Sequence, residues 1–174
     1  MHNTHGQHGH PGAQIVELSP DKVKAEIEKL KNENKTMVLA TKTLDNKAEV
    51  SYLPYICLND KYYIILTKSS SHYENIMEAK IFQGMILESE QSAVSTYFRK
   101  RIIFNLMYEG INEKDEVVQQ FVAMHGPLTY QLLKMNFNIF ELKVADARVI
   151  LGPGQAYNLD ESENILGQIV KGHE

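Results

Sequence analysis

AEVSYLPYICL (48–58) and KYYIILTK (61–68) stand on either side of Asn59-Asp60, and their reading decides the fold. Both runs are rich in β-branched and aromatic residues, and a two-residue polar break between such runs predicts a tight hairpin. Upstream, TMVLATKT (36–43) is another short apolar run, followed by the turn signal DNK (45–47). Three strands joined by tight turns make an antiparallel meander. Pro54 has no N–H to offer a ladder, so it marks an edge or a bulge in its strand.

Before the meander lies a helix. Ser19 is a good N-cap, Pro20 suits the first helical position and Asp21 favours the positive end of the dipole. Val23, Ile27 and Leu30 recur at helical spacing, and the helix should end near Asn32–Asn34.

After the meander, SSSHYENIMEA (69–79) reads as a helical segment capped by one of its serines. IFQGMILESE (81–90) is a strand. RKRIIFNLMYEGI (99–111) is a long one, with Ile102, Phe104, Leu106 and Tyr108 on one face. Asn112 is expected to cap a helix over EKDEVVQQFVAM, with Val117, Phe121 and Met124 inward. Gly126-Pro127 interrupts that helix, and LTYQLLKM (128–135) resumes it. NIFELKVADARVILGPGQAYNL (138–159) reads as a final hairpin turning near Ala145-Asp146. The fold class is therefore α+β, an antiparallel barrel of about six strands with flanking helices. Side chains fill a barrel of that size, so a large ligand needs another site, such as a seam between two subunits.

The domain is expected over 15–160, between a polar His-rich tail at 1–14 and a C-terminal tail at 161–174. The composition is that of a globular domain, 43% hydrophobic and 23% charged over 174 residues. The lone cysteine, Cys57, excludes an internal disulfide and fits a reducing compartment. No run approaches the roughly 20 apolar residues of a membrane span, and no basic-then-apolar signal opens the chain, so the expected location is the cytoplasm. A net charge of −4 without a basic stripe argues against nucleic acid as a partner.

Candidate chemistry is sparse. His2, His5, His8 and His10 can chelate a transition metal, or can form a polar extension and nothing more. Lys68, Ser69 and His72 meet at a strand-to-helix turn, where free N–H groups, hydroxyls and an ammonium suit a phosphate or propionate; ordinary capping explains the same residues. His125 closes a helix, where an imidazole can meet the last carbonyls. Arg99, Lys100 and Arg101 form the one dense basic triplet, with the two arginines on one face by strand alternation. They can grip an anion or pair with surface acids. His173 is the penultimate residue, and a mobile imidazole is a common axial ligand for haem iron.

Taken together these segments resemble the haem-utilisation family of the FMN-binding, pyridoxamine-phosphate-oxidase-like split barrels. The resemblance runs from about Lys35 to Tyr157. Its carriers are Ala40-Thr41, Ser51-x-x-Pro54, Ser70-Ser71-His72-Tyr73-Glu74-Asn75 and Phe98-Arg99-Lys100-Arg101. Further carriers are Phe121 to His125 with Pro127, Asn136-Phe137 and Gly152 to Ala156. It implies a split-barrel homodimer with haem in the intersubunit cleft, His173 on the iron, and Arg101 or Arg99 on the distal side, where a cation stabilises charge developing on oxygen. It also implies oxidative opening of the macrocycle with release of iron, using an electron donor. Lys68, Ser69, His72 and Asn75 are then cofactor-binding residues. Three positions depart from the pattern: Pro153 where the turn often has Phe, Asn136 where an acid often stands, and Met124 for a basic residue. A neutral Asn136 weakens the case for catalysis more than that for binding. Two alternatives follow: a haem carrier without turnover, and an FMN enzyme with Thr67, Lys68, Ser69 and His72 on the phosphate.

Overall fold

The structure is a computed structural model and describes residues 16–169. The expectations for the tail at 1–14 and for His173 lie outside the described residues. Helix α1 (Pro20–Glu33) starts as its sequence dictates: the Ser19 hydroxyl accepts from the Lys22 N–H at 3.2 Å, and Val23, Ile27 and Leu30 are buried. The other elements are β1 (Thr36–Lys42), β2 (Ala48–Leu58), β3 (Lys61–Thr67), α2 (Ser71–Glu78), β4 (Phe82–Leu87), β5 (Arg101–Ile111), α3 (Asp115–His125), α4 (Leu128–Lys134), β6 (Phe137–Gly152), β7 (Gln155–Leu159) and β8 (Ile165–Gln168).

The strands form one antiparallel sheet in the order β3-β2-β1-β4-β5-β6-β7-β8, and a further β3–β6 pairing closes the first six into a barrel. The predicted meander is present, with β2 paired to β1 over Ala48–Pro54 and to β3 over Tyr55–Leu58. Pro54 sits at that change of partner, where the strand has an open edge. Strand β6 belongs to two structures at once. Its first residues, Phe137–Leu142, pair with β3, and its last, Ala147–Gly152, pair with β7 outside the barrel.

Four local expectations are corrected. The chain does not turn at Ala145-Asp146: β6 runs through, and Asn105 faces Asp146 while Leu106 faces Val144, which leaves Ala145 as a bulge. The turn falls at Pro153-Gly154 instead, with Gly154 at φ +69°. Asn112 does not cap α3; it lies three residues before the helix begins, and its side chain accepts from the Lys114 N–H at 3.1 Å. Met124 is 38% exposed, whereas Val117 and Phe121 are buried as expected. The span read as a C-terminal tail contains β8.

The barrel interior is dense. Tyr62, Phe104 and Phe140 are almost wholly buried, with Tyr62 and Phe104 rings 4.7 Å apart. Helix α1 contributes Val23, Ile27 and Leu30 to the same core. Helices α3 and α4 cover the outside of β2, β3 and β6, where Ile56, Tyr63, Ile65 and Ile139 meet Val117 and Phe121. His125 donates from Nε2 to the Tyr55 carbonyl at 2.8 Å, which pins the end of α3 to β2 rather than to its own last turn.

Candidate functional site

Alternation along the strands leaves a second sheet face pointing away from the core. Register groups its residues into rows. Tyr52, Val38, Met85, Ile103 and Arg148 lie in one row across β2-β1-β4-β5-β6. In the next row towards one end lie Val50, Ala40, Gln83, Asn105 and Asp146, with Gln83 donating to Asn105 at 3.1 Å and Asn105 to Asp146 at 2.6 Å. On the other side lie Leu87, Arg101, Ile150 and Ala156. Tyr52 and Val50 are 71% and 72% exposed, so the face is apolar along one row and open.

Arg101 stands at the edge of this face. Its guanidinium donates to the Arg99 carbonyl at 3.0 Å, and it makes no ion pair among the described residues. Arg99 is engaged differently: its Nε donates to the Glu88 carbonyl at 2.9 Å, and its Nη1 lies 3.5 Å from the Glu90 carboxylate. Lys100 turns the other way, to Glu26 of α1 at 2.7 Å, and its ammonium holds that carboxyl below the usual range. The predicted alternation of the triplet is therefore present, and Arg101 is the arginine left available.

The second group of predicted residues gathers at α2. His72 and Asn75 are buried, and both reach Thr41 at the end of β1. His72 Nδ1 lies 2.6 Å from the Thr41 hydroxyl, while Asn75 donates to that hydroxyl at 3.0 Å and to the Glu49 carboxylate at 2.8 Å. Burial pushes the His72 imidazole down, with Glu49 opposing. Lys68 and Ser69 remain exposed at the start of α2, where Ser69 and Thr67 hydroxyls are 2.9 Å apart and Ser70 occupies the N-cap without a side-chain bond. A groove of about 580 Å³ opens beside Asn75, lined by Thr41, Lys42, Lys80 and Ile81 among others. Sequence reasoning missed Thr41 and Glu49 as the partners of His72 and Asn75, because no spacing links residues of β1 and β2 to a helix thirty positions later.

The two groups do not meet within one chain. Thr41 is one residue past the Ala40–Gln83 pair, level with Phe82, whereas Arg101 faces Leu87. Five residues of β4 separate those levels, about 17 Å along the strand. Asn136, one of the three departures from the pattern, has φ +69°, a conformation that asparagine tolerates better than most side chains, and its carbonyl accepts from the Lys68 N–H at 3.2 Å.

The chain is 24% identical over 143 residues to the haem oxygenase HutZ of Vibrio cholerae, covering 79% of this chain and 81% of HutZ. The fold is that of the split barrels. Campylobacter jejuni ChuZ superposes with a TM-score of 0.75 at 24% identity over 87% of this chain, which spans 64% of the ChuZ chain. A structure of HutZ described as a haem storage protein superposes at 0.63 with 23% identity, over 78% of this chain and 93% of that one. A haem-binding protein of Mycobacterium smegmatis gives 0.68 at 16% identity, over 79% of this chain and 57% of its own. No family model matches the sequence. Among the described residues no helix is long and apolar enough to cross a membrane, and no three His, Cys, Asp or Glu side chains converge as a metal site.

Proposed function

We propose that this protein binds haem at the open sheet face of a homodimer and opens the macrocycle, releasing iron. The observation that carries the reading is the row Arg101–Ile150–Ala156. The Ile169 N–H donates to the Ala156 carbonyl at 2.7 Å, so the chain leaves the sheet in the same row as Arg101. Three strand spacings, about 14 Å, separate Ile169 from Arg101. The four further residues to His173 can span about the same distance. One flat ligand can therefore lie between the guanidinium and the imidazole.

The residues present fit a porphyrin. Among the described residues the barrel interior is filled, so a macrocycle has to lie outside it. There, Ile150 and Ala156, in the row between Arg101 and Ile169, offer apolar contact to a flat ring, and among the described residues Arg101 makes no ion pair. A second copy laid on the exposed Val50 and Tyr52 would shield the ring from water and build the cleft. Bound haem supplies the redox chemistry. In this reading His173 would hold the iron through its imidazole, Arg101 would set a cation beside the bound group, and the sheet face would provide the apolar walls. Arg99, tied to Glu88, supports the strand entry instead. Lys68, Ser69, His72 and Asn75 lie at the other end of the barrel, so they serve haem only through the partner subunit. The cytoplasm, as the compartment with reductants, fits an electron-requiring reaction and the single thiol.

Two further readings differ at the bench. A haem carrier would bind without turnover, a role consistent with a neutral Asn136. An FMN enzyme would use the α2 start, with Thr67, Lys68, Ser69 and His72 on the phosphate. The expected outcome is a Soret band when haemin is added to the apoprotein, shifted or weakened in His173→Ala. With ascorbate in air the band should then decay with release of iron, and catalase should not prevent it. Decay that catalase abolishes is bleaching by free peroxide and leaves the carrier reading. Absence of a Soret band, with FMN purifying on the protein, makes it a flavoprotein.

A further inference from the structure

The turn between β7 and β8 carries a charge into the protein. Glu163, at φ +63°, turns its carboxylate inward, where it accepts from the Lys31 ammonium at 2.8 Å and from the Tyr62 hydroxyl. Lys31 and Glu163 side chains are only 11% and 16% exposed, and Lys31 also lies 5.7 Å above the Tyr62 ring and 3.2 Å from Glu28. The turn is held in shape for this purpose: the Asp160 carboxylate accepts from the N–H groups of Ser162 at 2.9 Å and Asn164 at 2.8 Å. One helix, one barrel strand and the last hairpin are thus tied at a single point.

Little else holds β8. Ile165 is half-buried against the core, Leu166 is 68% exposed and Gly167 has no side chain to pack. Three residue pairs, interrupted by a register shift, join β8 to β7. A strand with so few apolar contacts opens easily unless something anchors it. An enclosed ion pair is a strong anchor in one sense: removing one partner leaves the other charge out of water without compensation.

We infer that Lys31, Glu163 and Tyr62 form a latch that keeps β8 on the sheet and thereby delivers His173 to the haem. These are positioning residues, acting through β8 and Ile169 on a side chain they do not touch. The inference rests on His173 being the iron ligand, and the experiment separates failure of one from failure of the other.

The test is a double-mutant cycle on the full chain, read by haemin titration and by the Soret spectrum of the bound haem. Glu163→Ala should weaken haem binding and move the spectrum towards that of His173→Ala. Added imidazole should restore it in both. In a His173→Ala background the same substitution should have no further effect on the spectrum or affinity. Glu163→Gln keeps the shape and the Tyr62 bond while removing the charge, and serves if Glu163→Ala does not fold; it should act in the same direction. Lys29→Ala, on the solvent side of α1, should leave haem binding unchanged. Equal losses in both backgrounds would overturn the latch while leaving His173 as ligand, because Glu163 would then act on the barrel alone. A His173→Ala spectrum identical to the parent overturns the ligand, and the latch falls with it. A Glu163→Ala protein that melts lower but binds haem with unaltered spectrum and affinity reduces the cluster to a structural ion pair.

Discussion

The six barrel strands and the two-strand extension share β6, yet different forces hold them. Inside the barrel, Phe104, Leu106, Phe140 and Leu142 are fully buried and the sheet closes on itself, so no strand can leave without opening apolar surface. The extension buries Tyr157 and Leu159 of β7, but β8 beyond it packs little and depends on backbone pairs, the Gln168 amide donating to the Gly154 carbonyl at 2.7 Å, and the Lys31–Glu163 pair. Apolar packing is non-directional and stabilises the whole. Polar ties are specific and hold one segment. The barrel is thus the scaffold, and the extension is the part that small changes can loosen without unfolding the protein.

The comparison breaks most visibly at Phe104. Its ring packs against Tyr62 in the middle of the barrel, with no exposure. Phe104→Ala should cost about 3–5 kcal/mol, read from the urea midpoint. In the extension, Leu166→Ala should stay within about 0.5 kcal/mol. Similar losses at the two sites would mean that β8 is packed as tightly as the barrel.

A smaller effect sharpens the account of the barrel. Gly84 lies in β4 between β1 and β5, and a Cβ there would stand 2.5 Å from Met37 Sδ and 2.9 Å from Leu106 Cδ1. Both neighbours are ends of flexible side chains, so they can move at a cost. Gly84→Ala is expected to lose about 1–3 kcal/mol, and Met37→Ala should relieve part of it when the two are combined. Additive losses would indicate that the strain falls on the backbone instead.

What was legible in the sequence follows the same division. The meander, α1 with its Ser19 cap, and the inward face Ile102-Phe104-Leu106 are local patterns, and each is present. The bulge at Ala145 looks like a turn in the sequence because Ala-Asp breaks an apolar run in either case; only the register against Asn105 and Leu106 separates the two. β8 reads as tail, since no residue of ILGQ is fully buried and its anchor, Lys31, lies 132 positions from Glu163. The site divides likewise. Strand alternation put Lys100 apart from the arginines, whereas the freedom of Arg101 depends on what Glu88 and Glu90 do. The link of His72 to Thr41 is a contact between elements that no spacing encodes.

That link gives the smallest and most specific effect. His72 is buried with Nδ1 against the Thr41 hydroxyl, and burial holds its pKa below the ordinary 6.5 although Glu49 pulls the other way. The unfolded chain therefore binds a proton that the folded chain refuses. Stability from this group is present above about pH 6.5 and is lost as the pH falls below it. His72→Asn keeps a polar side chain at the site and has no proton to gain. Urea midpoints at pH 7.5 and 5.5 should show the parent losing more stability on acidification than the variant does. Should the variant lose as much or more, then Glu49 outweighs burial, the imidazole accepts its proton in place, and the pair His72–Glu49 belongs with the charged ties that hold the extension rather than with the core of the barrel.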